Sequence, residues 1–371
     1  MTLHVPERGW TRSHSRRRVA CTVAAALAVV LGVGVAPAAL AEFKPEYKLS
    51  VVVGPDTAWG KGAQRFADLV RERTQGRVNI KVYYSGQLFA GQQTNEFLLV
   101  RQGVGDFALA STINWSPQVR ELNLFSLPFF FADFRELDAV ENGQAGREIF
   151  ALLRRLGVEP LGWGENGFRQ LTNRVRPVRR PQDLAGLKIR VVGSKIFIDT
   201  FQALGANPTT MNWSEAITAF QQGVVDGQEN PVVGVIIPYK LHDFHRYLTA
   251  WNYTIDPLIL AVNAGVWRSF PEDVRAAVQQ SAADALRYQK ALARVGLDDG
   301  SSARYLASLG ESVAIDDPYG YLRSRGMEVI LLSDADRQAF RERVRSVVES
   351  WEGQIGSDLV RKAEADKAAA R

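Results

Sequence analysis

Arg190 and Arg169 are the residues best suited to chemistry in this chain. Arg190 follows Ile189 at the end of the apolar run 187–192, where the carboxyl edge of an α/β sheet presents its crevice. Its guanidinium offers two parallel donors that match a carboxylate, and it stays charged at any working pH. Arg169 lies 21 residues earlier, just before an expected strand. Most arginines of a chain this rich in them serve the surface or the framework, so residue type alone assigns neither to a ligand. Catalysis is poorly supplied. Beyond residue 41 the only histidines are His242 and His245, and no cysteine remains. Their i, i+3 spacing suits one helix face, but no acidic cluster joins them to make a metal site. A Gly-x-Ser-x-Gly elbow and a phosphate loop are both missing.

The elements that must position these arginines read as alternating strands and helices. A strand is expected over 49–53, a helix over 59–73 with Phe66, Leu69 and Val70 on one face, and a strand over 78–84. A helix over 94–101 stops at Gly103, and a strand follows over 106–110. The same order returns as a strand over 187–192, a helix over 196–204, a helix capped by Ser214 and running to Gln222, and a strand from Val224. Gln102-Gly103-Val104-Gly105-Asp106 is echoed by Gln222-Gly223-Val224-Val225-Asp226. Such helix–glycine–strand junctions are common in any α/β protein. They also suit two similar α/β lobes, the architecture of a ligand clamp. Further on, 258–263 is strand-like, and Pro271-Glu272-Asp273 opens a helical stretch reaching about Leu309, long enough to run along both lobes. A helix is expected over 334–352, with the Lys/Ala-rich end after Leu359 fraying.

The first 41 residues have the layout of a secretory signal peptide: Arg12 and Arg16-Arg17-Arg18, an apolar stretch over 19–35, then Ala39-Leu40-Ala41 for cleavage after Ala41. The twin arginine lacks the rest of its motif, so ordinary Sec export is favoured. Cys21 lies at the start of the apolar stretch, not after it, which argues against a lipoprotein. These 41 residues hold five Arg and one Glu, so their removal takes the net charge from +5 to about +1. That balance excludes a nucleic-acid surface. About 330 residues with no cysteine must stand on hydrophobic cores, and the length suggests two lobes. The most apolar remaining stretch, 122–134, contains Pro128 and reads as buried core instead of a membrane span.

Several segments in order resemble one family. They are Phe168-Arg169-Gln170, Leu187-Lys188-Ile189-Arg190-Val191, Ala203-Leu204-Gly205-Ala206-Asn207-Pro208, Met211-Asn212-Trp213-Ser214-Glu215 and Asp226-Gly227-Gln228-Glu229-Asn230-Pro231. Together they are similar to the C4-dicarboxylate type of solute receptor of tripartite ATP-independent periplasmic (TRAP) transporters, over nearly the whole chain after the signal. The resemblance implies an α/β fold: a two-lobed periplasmic-binding-protein clamshell with mixed sheets, hinge strands and a long helix spanning both lobes. The expected division is 42–166 plus 256–295 for lobe I, and 167–255 plus 296–371 for lobe II. It further implies a periplasmic receptor, not an enzyme, with no cofactor. Such a receptor closes on a small organic carboxylate and delivers it to the small and large membrane subunits of an ion-driven permease. A receptor for a sensor kinase or chemoreceptor would carry the same pocket. A monomer is expected, with a dimer left open.

By this resemblance Arg190 makes a bidentate salt bridge to the substrate carboxylate, Arg169 faces the same ligand, Asn230 donates to it, and Trp213, with Asn212 beside it, forms an aromatic wall. Two arginines against one carboxylate imply a net positive pocket. Glu229, which would repel an anion, reads as a structural residue paired elsewhere. Selectivity is expected from the first lobe, with Thr57, Trp59, Gln92, Ser111, Asn114 and Trp115 as candidates. Trp115 and Trp163 add aromatic surface, for which core packing is the commoner use. Sialic-acid members carry an acidic residue where this chain has Ser111, so sialic acid is discounted.

Overall fold

The computed structural model describes residues 43–370. The expected signal segment, its expected cleavage site and Cys21 lie outside them. Among the described residues no helix is long and apolar enough to cross a membrane.

Ten strands form one mixed sheet: β1 Tyr47–Ser50, β2 Ile80–Tyr83, β3 Phe107–Ser111, β4 Val158–Asn173, β5 Lys188–Val191, β6 Asn207–Thr210, β7 Gly227–Pro231, β8 Tyr247–Ala250, β9 Ile255–Asn263 and β10 Glu328–Leu331. The main path runs β2-β1-β3-β9-β4-β7-β5-β6, and β8 joins β4 to β10. Side chains alternate across the pleat. Phe107 and Leu109 enter one core with Leu258, Leu260 and Val262. Ala108 and Ala110 enter the other with Ile259 and Ala261.

The internal echo is built in three dimensions. β1 pairs in parallel with β2 and β3, and β5 pairs in parallel with β6 and β7. Gly103 and Gly223 both end their helices at positive φ, +76° and +67°, which glycine adopts without steric cost. Asp106 then accepts from the Lys48 N–H at 2.8 Å, and Asp226 accepts from the Lys188 N–H at 2.8 Å. The echo therefore marks a repeated β-α-β-α-β unit.

Two antiparallel strands join these units. β4 pairs with β9 from Val158↔Asn263 to Phe168↔Ile255, then exchanges partners and pairs with β7 and β8. A bulge at Glu165–Gly167 marks the exchange, with Gly167 at φ +118°. Gln289 takes up the backbone of the bulge, accepting from the Glu165 N–H at 2.8 Å and donating to the Glu165 carbonyl at 2.6 Å. β4 was not anticipated as one 16-residue strand, because its three glycines and Pro160 disguise it. Gly162-Trp163-Gly164-Glu165-Asn166-Gly167 spells Gly-x-Gly-x-x-Gly, but inside β4 it meets no helix N-terminus and cannot cradle a phosphate.

Three helical expectations need correction. The stretch opened by Pro271 is helical only over Glu272–Arg294, and a second helix covers Ser301–Ser308. Gly296 and Gly300 break it at φ +75° and +83°, and a Cβ on Gly296 would press the Asp316 carbonyl at 2.6 Å. At 23 residues, or about 35 Å, the first helix still packs on the Ala58–Arg73 helix and reaches the hinge through Gln289. Ser214 is not the cap: the helix begins at Trp213, with Asn212 extended before it. The C-terminal end does not fray. Helix Ser357–Ala368 docks through Asp366, which accepts from the Gln144 and Ala145 N–H groups, and through buried Lys367 beneath the Phe130 ring.

Candidate functional site

The parallel strands of both units end toward one small cavity. Val52 and Val53 follow β1, Ser111 ends β3, Arg190 lies near the end of β5, and Asn230 near the end of β7. This is the strand-end crevice expected of α/β sheets. The cavity leaves about 30 Å³ for the centres of water-sized spheres. A single water needs about 10–15 Å³ on this measure, so the cavity holds a few waters at most.

Arg190 and Arg169 are 1% and 2% exposed, so both charges are withdrawn from water. Their partners differ. Arg169 gives Nε to Glu229 Oε2 at 2.5 Å and Nη2 to Glu229 Oε1 at 2.8 Å, a bidentate pair, and Nη1 to Asp256 Oδ2 at 3.2 Å. Glu229 also accepts from the Tyr253 hydroxyl at 2.6 Å. Burial opposes the Arg169 charge, but Glu229 and Asp256 more than offset it and hold its pKa above the ordinary value. Arg190 has no carboxylate within hydrogen-bond reach. It donates Nε and Nη2 to the Met211 carbonyl at 3.0 and 2.7 Å. Of five guanidinium N–H groups, both on Nη1 and one on Nη2 stay open. Burial lowers its pKa to about 10, with Glu229 opposing and Arg169 adding, so it remains protonated at neutral pH. The Trp213 ring lies beneath it, 5.5 Å from ring centroid to guanidinium carbon.

The opposite wall is polar and neutral except for Asp256. Ser111 caps the short helix after β3, accepting from the Ile113 N–H at 3.1 Å and donating to Asp256 Oδ1 at 2.6 Å. Asn166, turned by the bulge, donates to Asp256 Oδ2 at 2.8 Å. Gln93 bridges the two walls, donating to Asn114 Oδ1 at 2.7 Å and accepting from the Trp213 N–H at 2.6 Å. Trp59 lines the cavity while its indole N–H donates to the Leu109 carbonyl.

Of the residues expected at the site, Arg190, Arg169, Asn230, Trp213, Ser111, Asn114 and Trp59 line the cavity. Gln92, Trp115, Asn212 and Thr57 do not. Gln92 is exposed because the turn before the Glu96–Gln102 helix sends its neighbour Gln93 inward. Trp115 is wholly buried against Phe97, at a centroid distance of 5.2 Å. Asn212 lies outside the wall as the residue entering a helix, and Thr57 caps the Ala58–Arg73 helix by accepting from the Gly60 N–H. Trp163 packs on Phe150. Arg169 does not precede a strand but sits within β4. The charged residues that line the cavity, Arg169, Arg190 and Asp256, leave it one net positive charge; Arg169 is held by two carboxylates with one Nη1 hydrogen left over, whereas Arg190 has no carboxylate partner and three open hydrogens. Asp256, Asn166 and Gln93 were not anticipated. The signal for Asp256 was a lone carboxylate opening the otherwise apolar run of β9.

No cluster fit to hold a metal exists among the described residues. His245 is buried against Thr172, its Nδ1 2.9 Å from the hydroxyl, and burial lowers its pKa to about 3. A larger groove, about 660 Å³, flanks the Glu272–Arg294 helix. Its Lys290 and Arg294 are tied to Glu141, Asp138 and Glu165, so it offers no open buried cation comparable to Arg190.

Residues 49–296 match the model of the bacterial extracellular solute-binding proteins, family 7. The C4-dicarboxylate-binding periplasmic protein of Rhodobacter capsulatus is 33% identical over 248 residues, 67% of this chain and 73% of that one. A TRAP periplasmic solute-binding protein of Ralstonia eutropha H16, solved with (S)-2-hydroxy-2-methyl-3-oxobutanoate, is 48% identical, with a TM-score of 0.82 over 88% of this chain and 100% of that one. Another, from Sulfurospirillum deleyianum, solved with succinate, is 29% identical, with a TM-score of 0.74 over 86% and 98%.

Proposed function

The chain belongs to the bacterial extracellular solute-binding proteins of family 7, binding proteins of the TRAP type and not enzymes, and from that premise we propose that Arg190 captures a compact organic carboxylate for a TRAP-type, ion-driven permease. One observation carries this reading: a buried guanidinium whose only hydrogen-bond partner among the described residues is a backbone carbonyl. A buried charge without a counter-charge is unfavourable. A ligand carboxylate supplies the missing partner through a bidentate contact with the open donors. Trp213 below and Asn230 beside it limit where that carboxylate lies. The small cavity suits a compact acid, and the Ralstonia relative was solved with one, (S)-2-hydroxy-2-methyl-3-oxobutanoate. Export through a leader cleaved after Ala41 places the receptor in the periplasm, beside the two membrane subunits of its permease.

Calorimetric titration of the purified protein with small organic acids tests this. Arg190→Ala should weaken the best ligand by about 2–5 kcal/mol, roughly 30- to several-thousandfold. A preferred ligand without a carboxylate, or full affinity in the variant, sinks the reading.

A further inference from the structure

The charges in the cavity wall say more about the ligand than that it is an acid. Among the residues that line it, the charged ones are Arg169, Arg190 and Asp256. Arg169 already serves Glu229 and Asp256. The one guanidinium without a carboxylate partner, Arg190, is therefore matched to one ligand carboxylate. Any second carboxylate in so small a hollow would lie near Asp256, away from bulk water, with no cation that is not already paired to carboxylates.

Burial raises the Asp256 carboxyl pKa above its ordinary value, opposed by the Arg169 charge and by the Ser111 and Asn166 hydrogen bonds. Ser111, Asn166 and Arg169 all donate to it. Oδ2 receives two of these bonds, whereas Oδ1 receives only that of Ser111, and a carboxylate oxygen has room for two. An acceptor with spare capacity in a cavity wall suits a hydroxyl hydrogen. We infer that Asp256 is the specificity-determining residue of the pocket, accepting a hydroxyl of a compact hydroxy-monocarboxylate and rejecting dicarboxylates by like-charge repulsion. The inference rests on the proposed function, since Arg190 must hold the ligand's own carboxylate.

The contrast also explains why a first-lobe hydroxyl such as Ser111 need not meet the ligand to influence it. Its hydrogen is committed to Asp256, so it acts as a positioning residue that leaves the second lone pair of Oδ1 open. A binding site arranged to receive a hydroxyl rejects the analogue lacking it more strongly than an apolar site rejects a missing methyl.

Three acids of similar bulk separate the possibilities: 2-hydroxy-3-methylbutanoate, 3-methylbutanoate and succinate, titrated calorimetrically into wild type, Asp256→Asn and Arg190→Ala. Wild type should prefer the hydroxy acid to 3-methylbutanoate by at least about tenfold and to succinate by at least about a hundredfold. Asp256→Asn should shrink the margin over succinate by about tenfold or more. Succinate binding wild type as tightly as the hydroxy acid overturns the inference, as does an unchanged margin in Asp256→Asn or no binding by any of the three at millimolar concentration. Should Asp256→Asn fail to fold, judged by its thermal melt, the wild-type ranking decides alone. If succinate wins but Arg190→Ala abolishes its binding, only this inference fails. If Arg190→Ala leaves binding unchanged, the proposed function fails first.

Discussion

The two β-α-β-α-β units share a frame and differ in what they bury at one position. Lys48 and Lys188 meet the junction aspartates in the same way, so Ser50 in β1 corresponds to Arg190 in β5. Ser50 donates to buried Glu96 at 2.7 Å, a pair that closes on itself. Arg190 ends with open donors in a cavity. The first unit thus contributes neutral groups, Trp59, Gln93, Ser111 and Asn114, and the second contributes the cation. On the proposed function the second unit captures the ligand's charge, while Asp256, on β9 between the units, chooses among ligands.

Removing the structural cation at the junction between the units should do the most damage. Arg169→Ala leaves Glu229 and Asp256 buried without their counter-charge, and we expect a loss of about 3–5 kcal/mol in unfolding free energy by denaturant titration. Arg190→Ala should show the opposite pattern, with affinity collapsing while the unliganded protein unfolds at the same or higher denaturant. Equal destabilisation by the two would erase the distinction between a framework arginine and a binding one.

Glu96 sharpens the comparison from the other unit. Burial raises its carboxyl pKa to about 8, opposed by the Ser50 hydroxyl and the Trp115 indole. In the unfolded chain a glutamate titrates near about 4.3. Between those values the folded protein keeps a proton that the unfolded chain has released, so stability falls as pH rises and levels off above about 8. Glu96→Gln should remove that component, and melting temperatures from pH 5 to 9 would show a flatter profile. An unchanged slope would mean that Glu96 is not protonated in the fold. The smallest effect should come from the repeated junctions. Asp106→Ala and Asp226→Ala should each cost about 1–3 kcal/mol with ligand affinity unaltered, and a shift in affinity from either would break the proposed separation of frame and site.

The sequence made the frame legible where local rules act: glycine after an apolar helix, aspartate after glycine, apolar strands between them. The place of Arg190 at the end of an apolar strand was legible for the same reason, whereas its assignment to a ligand came from the family resemblance. What stayed hidden depends on partners distant in sequence. Whether Arg169 is free or paired turns on Glu229 and Asp256, 60 and 87 residues away. Gln93 rather than Gln92 faces inward because of a tight turn that periodicity does not resolve. The break at Gly296 is set by the Asp316 carbonyl packed beside it, and the C-terminal helix is held by Phe130 and the Gln144 helix start.

The clasp of Gln289 on the Glu165 bulge has a mechanical corollary. β4 passes from one half to the other with its ladder broken only by single unpaired residues at two irregularities, the second the Glu165–Gly167 bulge, so the halves can rock by flexing a ladder instead of tearing one. Flexing concentrated at the bulge would tug the Glu272–Arg294 helix through that amide. A displacement at the cavity would then reach the far side of the molecule along a single helix.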